Sequence, residues 1–296
     1  MRRGGIDVGG RGDMRADLER RILRVTDHIF DNPGGDLSLG TLAAVAAMSP
    51  CHWHRVFHAV TGETLAQAVR RIRLQRASMM LVHEDLPVAE IARTVGYPNT
   101  ASFSRAFAGR FGLSPLAFRK RGVPGPGNSR FRERLPLTMP VEVREVPAMR
   151  LAAVPHRGDY NRIDRAFEVL LGLFAARGLL PSVRGTIGVF HDDPASMPFD
   201  DLSSHAAFVV EDGVAIDPPL EEVRLAGGRH AVVTVEGPYA GLALGYDQLF
   251  NGWLPEVDEE PADGPAYIAY LTDVATTPPD RLVSEIRLPL TPRESP

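Results

Sequence analysis

From residue 16 to residue 121 apolar positions fall three and four apart, the spacing of one helix face; after residue 139 they alternate every second position, the spacing of a strand. Leu18, Ile22, Val25 and Ile29 make a first helical stripe, which Asn32-Pro33-Gly34-Gly35 ends. A short helix over 39–46 follows. Ser49 then caps a helix that Pro50 opens and that runs to about residue 58. Residues 64–82 make a long helix of roughly 28 Å. Pro87 opens a short helix to residue 94, Asn99 caps another to residue 110, and Pro115 opens a last turn to residue 120. Strands are predicted over 141–146, 149–156, 186–190, 206–211, 221–225, 230–236, 266–272 and 281–289, with helices over 161–177 and 246–253.

Each part repeats itself. Arg55-Val56-Phe57 with Gly62 and Thr64 returns 50 residues later as Arg105-Ala106-Phe107 with Gly112 and Ser114, and Leu42-Ala43 with Met48 returns 49 residues later as Ile91-Ala92 with Tyr97. The helical part is therefore two copies of helix, tight turn, helix. In the strand-rich part Gly158-Asp159-Tyr160 with Leu170 returns 79 residues later as Gly237-Pro238-Tyr239 with Leu249. Duplicated α+β halves of this kind pack their sheets side by side and leave a pocket at the junction. Residues 122–138, rich in Pro and Gly with Arg130, Arg132 and Arg134, read as a linker, and the Gly-rich residues 1–13 as a flexible tail. The expected division is tail 1–13, helical domain 14–121, linker 122–138 and α+β domain 139–296.

Charge sharpens this division. The net charge of −4 over 296 residues conceals 21 Lys+Arg against 12 Asp+Glu before residue 136, and 12 against 25 after it. A basic half fused to an acidic half points to a polyanion-binding module joined to something else. The 44% hydrophobic and 24% charged composition excludes wholesale disorder, and a single cysteine excludes a disulfide framework. The absence of a long apolar run argues against a membrane partner. Arg2-Arg3 is not followed by the apolar run of an export signal, so a cytoplasmic location is expected.

In a helix-turn-helix the second helix lies in the DNA major groove with its first turns facing base edges. Cys51, His54 and Arg55 share the outer face of the first such helix, and Thr100, Ala101, Ser104 and Arg105 that of the second. Arginine grips guanine with two hydrogen bonds, and histidine donates to or accepts from a base edge. The second helix carries few long side chains there and is expected to read shape and phosphates. The plainer alternative for Arg55 and Arg105 is a surface ion pair. His54 and His58 have metal-ligand spacing, as do His191, Asp192, Asp193 and His205 in looser form, but solvated charge explains both sets more simply; neither metal nor cofactor is expected.

Two resemblances follow from these residues. Val88-Ala89-Glu90-Ile91-Ala92, Val95-Gly96-Tyr97, Phe103-Ser104-Arg105-Ala106-Phe107, Gly112-Leu113-Ser114-Pro115 and Arg119 resemble the AraC/XylS transcription regulators. That resemblance implies two reader helices about one DNA turn apart, with base contacts at the seven positions just named. Ala47 stands where the family commonly has glycine in the first turn. Val146-Pro147-Ala148-Met149-Arg150, His156-Arg157-Gly158-Asp159-Tyr160, Asp192-Asp193-Pro194, Gly237-Pro238-Tyr239, Trp253-Leu254-Pro255 and Ser284-Glu285-Ile286 resemble the GyrI-like effector-binding domain, in the Rob-type order. The implied fold is an all-α, homeodomain-like pair of helix-turn-helix units followed by a duplicated α+β (SHS2) domain. The implied ligand is a hydrophobic or cationic small molecule, with Glu285 at the family's pocket glutamate and Tyr160, Phe190, Trp253, Tyr267 and Tyr270 as walls. An aromatic box around a carboxylate suits a cation. The expected function is a sequence-specific transcription regulator, not an enzyme, partnered by promoter DNA, an effector and RNA polymerase. A GyrI-like hydrolase acting on a small electrophile and a protein-binding inhibitor domain are the alternatives.

Overall fold

The computed structural model describes residues 9–121, 139–194, 196–274 and 276–292. The predicted linker and residues 1–8 of the predicted tail lie outside the described residues. The tail is shorter than expected, because helix α1 spans Gly9–Asp31. Glycine costs a helix only about 1 kcal/mol per residue, which an otherwise docked helix carries in its first turns.

The helical half continues with α2 (Leu39–Val45), α3 (Pro50–Thr61), α4 (Leu65–His83), α5 (Val88–Thr94), α6 (Thr100–Phe111) and α7 (Pro115–Arg121). Ser38, Ser49 and Asn99 cap α2, α3 and α6 through their side chains, and Thr64 with Gln67 forms a reciprocal capping box on α4. The repeat is geometric as well as sequential. After α2 the Ala47 and Met48 amides donate to the Ala44 and Ala43 carbonyls, both at 2.9 Å; 49 residues on, Gly96 and Tyr97 donate to Arg93 and Ala92 at 2.9 and 2.8 Å. Each unit has its own core, one around Leu42, Trp53 and Ile72, the other around Ile91, Phe103 and Phe107. Helix α4 runs through both and joins them.

The second half is an eight-stranded antiparallel sheet: β1 (Val141–Val146), β2 (Met149–Arg157), β3 (Gly185–Phe190), β4 (Ser203–Val209), β5 (Glu221–Leu225), β6 (Gly228–Glu236), β7 (Ala266–Tyr270) and β8 (Val283–Pro289). Their order across the sheet is β1-β6-β8-β7-β3-β4-β2-β5. Exchanging β2 with β6, β3 with β7, β4 with β8 and β5 with β1 maps the sheet onto itself. The pseudo-twofold therefore passes between β3 and β7, where Gly188 pairs with Ile268. Strand β4 begins at Ser203, earlier than its apolar pattern suggests, because Ser203 donates its amide and hydroxyl to Asp192 Oδ2 at 2.7 and 2.6 Å. Helix α8 (Asp164–Ala176) and its mate α9 (Leu242–Asp247) pack on one sheet face through Leu170, Leu173 and Phe174, and through Gly245. The helix expected over 246–253 is in fact the end of α9 followed by a π-helical turn, Gln248–Trp253.

The two halves dock through α1 and α8. Gly172 of α8 meets Ile22 of α1 at a separation that leaves no room for a Cβ. Around this crossing Arg165 reaches Asp27 at 2.5 Å and Asp31 at 3.0 Å, and Arg177 reaches Glu19 at 3.0 Å. From the other side Arg71 of α4 pairs with Glu168 of α8 and, at 2.6 Å, with Glu63. At the second unit the Arg110 guanidinium donates to the Val274 carbonyl.

Candidate functional site

The first site is the outer face of α3 and α6. Trp53 and Phe57 turn inward on α3, leaving Cys51 and Arg55 exposed and His54 half-buried outside. On α6, Phe103, Phe107 and Phe111 are buried, Thr100, Ala101 and Arg105 are exposed, and Ser104 is half-buried. Among the described residues no ion pair holds Arg55 or Arg105. Several other arginines of the basic half are spent inside the fold. Arg73 donates to the Pro33 and Gly35 carbonyls, Arg119 to those of Leu81 and Leu86, and Arg71 is locked between two glutamates. The charge excess that faces outward is thus concentrated at fewer positions than composition suggests.

The second site is a cavity of about 1830 Å³. Its floor is the helix-bearing face of the sheet at the pseudo-twofold, with Phe190, Ile268 and Tyr270; α8 and α9 form its sides. Its remaining wall comes from the helical half. Arg71, Ile72, Gln75, Met79 and His83 of α4 line it, together with Phe30, Glu63 and Arg110. The aromatic walls interlock edge to face: Tyr160 on Phe190 at 4.9 Å, Phe167 on Tyr270 at 5.4 Å, with Tyr239 tilted against Tyr270 at 5.0 Å. The Tyr160 hydroxyl donates to the Ser203 carbonyl at 3.0 Å and accepts from the Asp192 amide at 3.0 Å, which ties the His191–Pro194 loop to the wall. Burial raises the hydroxyl pKa of Tyr160, Tyr239, Tyr246 and Tyr270, so these walls stay neutral.

Acids outnumber bases in the lining: Glu63, Asp164, Glu168, Asp192, Asp193, Asp247 and Asp273 against Arg71 and Arg110, with His83 and His191 held toward the neutral form by burial. Hydrogen bonds from Ser203 hold the Asp192 carboxyl below its ordinary value. Burial, reinforced by the neighbouring charge of Glu168, pushes Asp164 up to about 6.

Of the six predicted wall and pocket residues, Tyr160, Phe190 and Tyr270 come together in this cavity, whereas Trp253, Tyr267 and Glu285 do not line it. Strand parity is the reason. Tyr270 and Ile268 point to the helix side, so Tyr267 points away, and Glu285, paired in register with Ala269, points away too. There Glu285 is 6% exposed and bonded to Arg144 and Arg287, both at 2.6 Å. Burial raises its pKa, but the two guanidiniums outweigh this and hold the carboxyl below its ordinary value. The Arg287 guanidinium lies over the Tyr267 ring at 5.9 Å. Trp253 ends the π-helical turn and packs against the core of the second half-repeat. Sequence reasoning missed Asp164 and Glu168, one turn apart on the polar shoulder of α8; that spacing was the available signal. It also missed Tyr239, which the 79-residue repeat marks as the mate of Tyr160.

Residues 139–291 match a family model described as the GyrI-like small molecule binding domain, and residues 42–121 match a helix-turn-helix domain model. The chain is similar to the RCS-specific HTH-type transcriptional activator RclR of Escherichia coli (strain K12), at 36% identity over 104 residues, 35% of this chain and 37% of that protein. It is also similar to the MmsAB operon regulatory protein of Pseudomonas aeruginosa, at 32% identity over 130 residues, 44% of this chain and 38% of that protein. The chain thus spans less than two fifths of the length of these relatives. An uncharacterized conserved protein from Listeria innocua, solved by crystallography, superposes with a TM-score of 0.42 at 16% identity, covering 52% of this chain and 93% of that one. No described helix is long and apolar enough to cross a membrane.

Proposed function

Because the chain belongs to the GyrI-like family of small-molecule-binding domains, with an AraC-type helix-turn-helix domain ahead of it, we propose that it is an effector-responsive transcription regulator. Residues 14–121 bind promoter DNA, and residues 139–296 bind a hydrophobic or cationic small molecule without turning it over. The observation that carries this reading is the shared cavity wall: helix α4, which joins the two readers, supplies Arg71, Ile72, Gln75, Met79 and His83 to the chamber that the effector domain encloses. A ligand there touches the element that sets reader spacing. Any difference in its affinity for two placements of α4 becomes a difference in DNA affinity.

In this reading Arg55 and Arg105 supply the strongest base or phosphate contacts, and Cys51, His54, Thr100, Ala101 and Ser104 line the groove beside them. Tyr160, Phe190 and Tyr270 contact the effector. RNA polymerase is the downstream partner, and the protein works in the cytoplasm beside the chromosome. Arg55→Ala is expected to weaken binding to a selected DNA site by about 1–3 kcal/mol. A mobility-shift titration at fixed salt measures it, and unchanged affinity contradicts the assignment of α3 as a reader.

A further inference from the structure

The effector domain holds the helical half at two places, one on each side of its pseudo-twofold. In the first half-repeat α8 touches α1 and α3; Gly172 makes room for Ile22, and Arg165 and Arg177 pair with Asp27 and Glu19 of α1. The second half-repeat holds α6. A helical turn in the loop between β7 and β8, Pro279–Arg281, lies against α6. The Arg110 guanidinium, from the last turn of α6, donates to the Val274 carbonyl of the same loop. Within the sheet the half-repeats meet where β3 pairs with β7, and the chamber lies over that seam.

Both repeats single out Arg110. Its mate 50 residues earlier is Val60, which packs against the core of the first helix-turn-helix unit, so the fold of such a unit does not call for an arginine there. It stands five residues beyond Arg105, about 140° round the helix, and so leaves the reader face for the effector domain. The loop it grips also has a mate. The amides of His191 and Leu271 donate to Ser203 and Val283, those of Ser196 and Thr276 to Asp193 and Asp273, and those of Asp201 and Arg281 to Pro198 and Pro278. The two loops are alike in themselves and differ in what they touch. In the first, Phe199 stands at the place of Pro279 and is 57% exposed, whereas the turn at Pro279 rests on α6. Arg110 is half-buried, with the like charge of Arg71 on one side and Tyr239 and Asp273 on the other. Withdrawing a guanidinium from water toward another is unfavourable unless the groups it meets offset the cost.

We propose that Arg110 is a positioning residue for the second reader: its bond to Val274 ties α6 to the second half-repeat, while α8 ties α3 to the first, so the angle between the half-repeats sets the tilt of one reader against the other. This rests on α3 and α6 being the DNA readers and adds a link that α4 does not provide. Helix α4 sets how far apart the two units stand; the Arg110 link sets how α6 is turned. A molecule that wedges open the β3–β7 seam moves α6 relative to α3 through this link.

The first test reads that geometry in the full chain without ligand or DNA. Cys51, the single cysteine of the chain, is exposed at the start of α3, and Ala101, its repeat mate, is exposed at the start of α6. Ala101→Cys therefore gives a second position for a nitroxide label, and double electron–electron resonance measures the distance between them. With Arg110 in place one narrow distribution is expected. Arg110→Met keeps the aliphatic stem and removes the donors, and is expected to shift or broaden the distribution. Arg110→Lys, which retains a donor for the carbonyl, is expected to restore most of it. Arg93→Met, at an exposed arginine of α5, controls for loss of positive charge. Thermal melts of the same samples identify the folded variants, and Arg110→Gln takes the place of Arg110→Met if the latter does not fold. An unchanged distribution in the Arg110 variant, or an equal change in Arg93→Met, overturns the proposal.

The second test compares the unlabelled chain on a selected DNA site and on the same site with one base pair inserted between its two elements. Wild type is expected to lose about ten-fold or more in affinity on insertion. Arg110→Met is expected to lose less than about three-fold, because a released α6 follows its element. Arg110→Lys is expected to behave as wild type, which a merely structural loss of stability would not produce. Equal insertion penalties in wild type and Arg110→Met overturn this proposal alone. Selection of no DNA site overturns the reading of α3 and α6 as readers, and the positioning role with it.

Discussion

Ala47 is the one non-glycine residue with positive φ among the described residues, at 51°. It ends the first helix-turn, and its repeat mate Gly96 adopts 78°. At Gly96 a Cβ would run into the Arg73 guanidinium and the Pro33 carbonyl, so glycine is required there by space as well as by backbone. At Ala47 the Cβ is accommodated, and only the left-handed backbone is unfavourable. Ala47→Gly removes that strain at some cost in chain entropy, for a net gain of about 0.5–1 kcal/mol. Thermal unfolding is expected to shift up by a few degrees with DNA affinity unchanged; a downward shift shows that the turn carries no strain. The repeat makes this position legible in the sequence, because the 49-residue pairing sets Ala47 opposite a glycine. Strand parity was less legible at Glu285. Motif resemblance names a residue but not the face it occupies, and Arg144 and Arg287 close around it on the face away from the cavity.

At the scale of elements, α1 belongs to both halves. Ile22, Val25 and Ile29 enter the first helix-turn-helix core, while Leu23 packs against the core under α8. Helix periodicity showed the first stripe and could not show the docking on α8, because Leu23 and the acids Glu19, Asp27 and Asp31 that make much of it set no apolar period. Gly172 makes the approach possible by having no side chain where Ile22 sits. Gly172→Val should overpack this crossing and lower stability by about 1–3 kcal/mol. Ile22→Ala in the same chain removes the clashing methyl and should recover part of the loss beyond what two independent changes would give. Strict additivity of the two in denaturant unfolding shows that the two residues do not share the crossing. The helices themselves were legible to within a few residues, since Ser49, Thr64, Asn99 and the αL glycines 62 and 112 mark their ends. The π-helical turn after α9 had no such marker.

At the scale of the whole molecule, the contrast between a basic and an acidic half resolves into something more specific. Acids of α1 meet arginines of α8, and an arginine of α4 meets Glu168, so charge of both signs crosses the junction. What remains exposed on the helical half includes Arg55 and Arg105; what remains inside the junction is an acid-rich aromatic chamber. The fold class, the duplication of each half and the outward faces of α3 and α6 were readable from spacing and repeats, which are local. The pocket at the junction of the α+β halves was readable as well; its α4 wall was not, because α4 is remote in sequence from the strands and helices that form the rest. If α3 and α6 are the DNA readers, as proposed, their joining by one helix also makes a definite statement about DNA. Helix α4 has 19 residues, or roughly 28 Å, which sets the readers near one helical turn of DNA apart.

The account is tested most directly by selecting DNA sites from a random pool with the full-length chain and measuring the affinity of the enriched site with and without a cation bound in the chamber. The predicted result is an asymmetric site with two elements about 10 base pairs apart, bound far more tightly than random DNA, with an affinity that the cation changes. Recovery of no sequence, only salt-dependent binding to any DNA, contradicts the central claim.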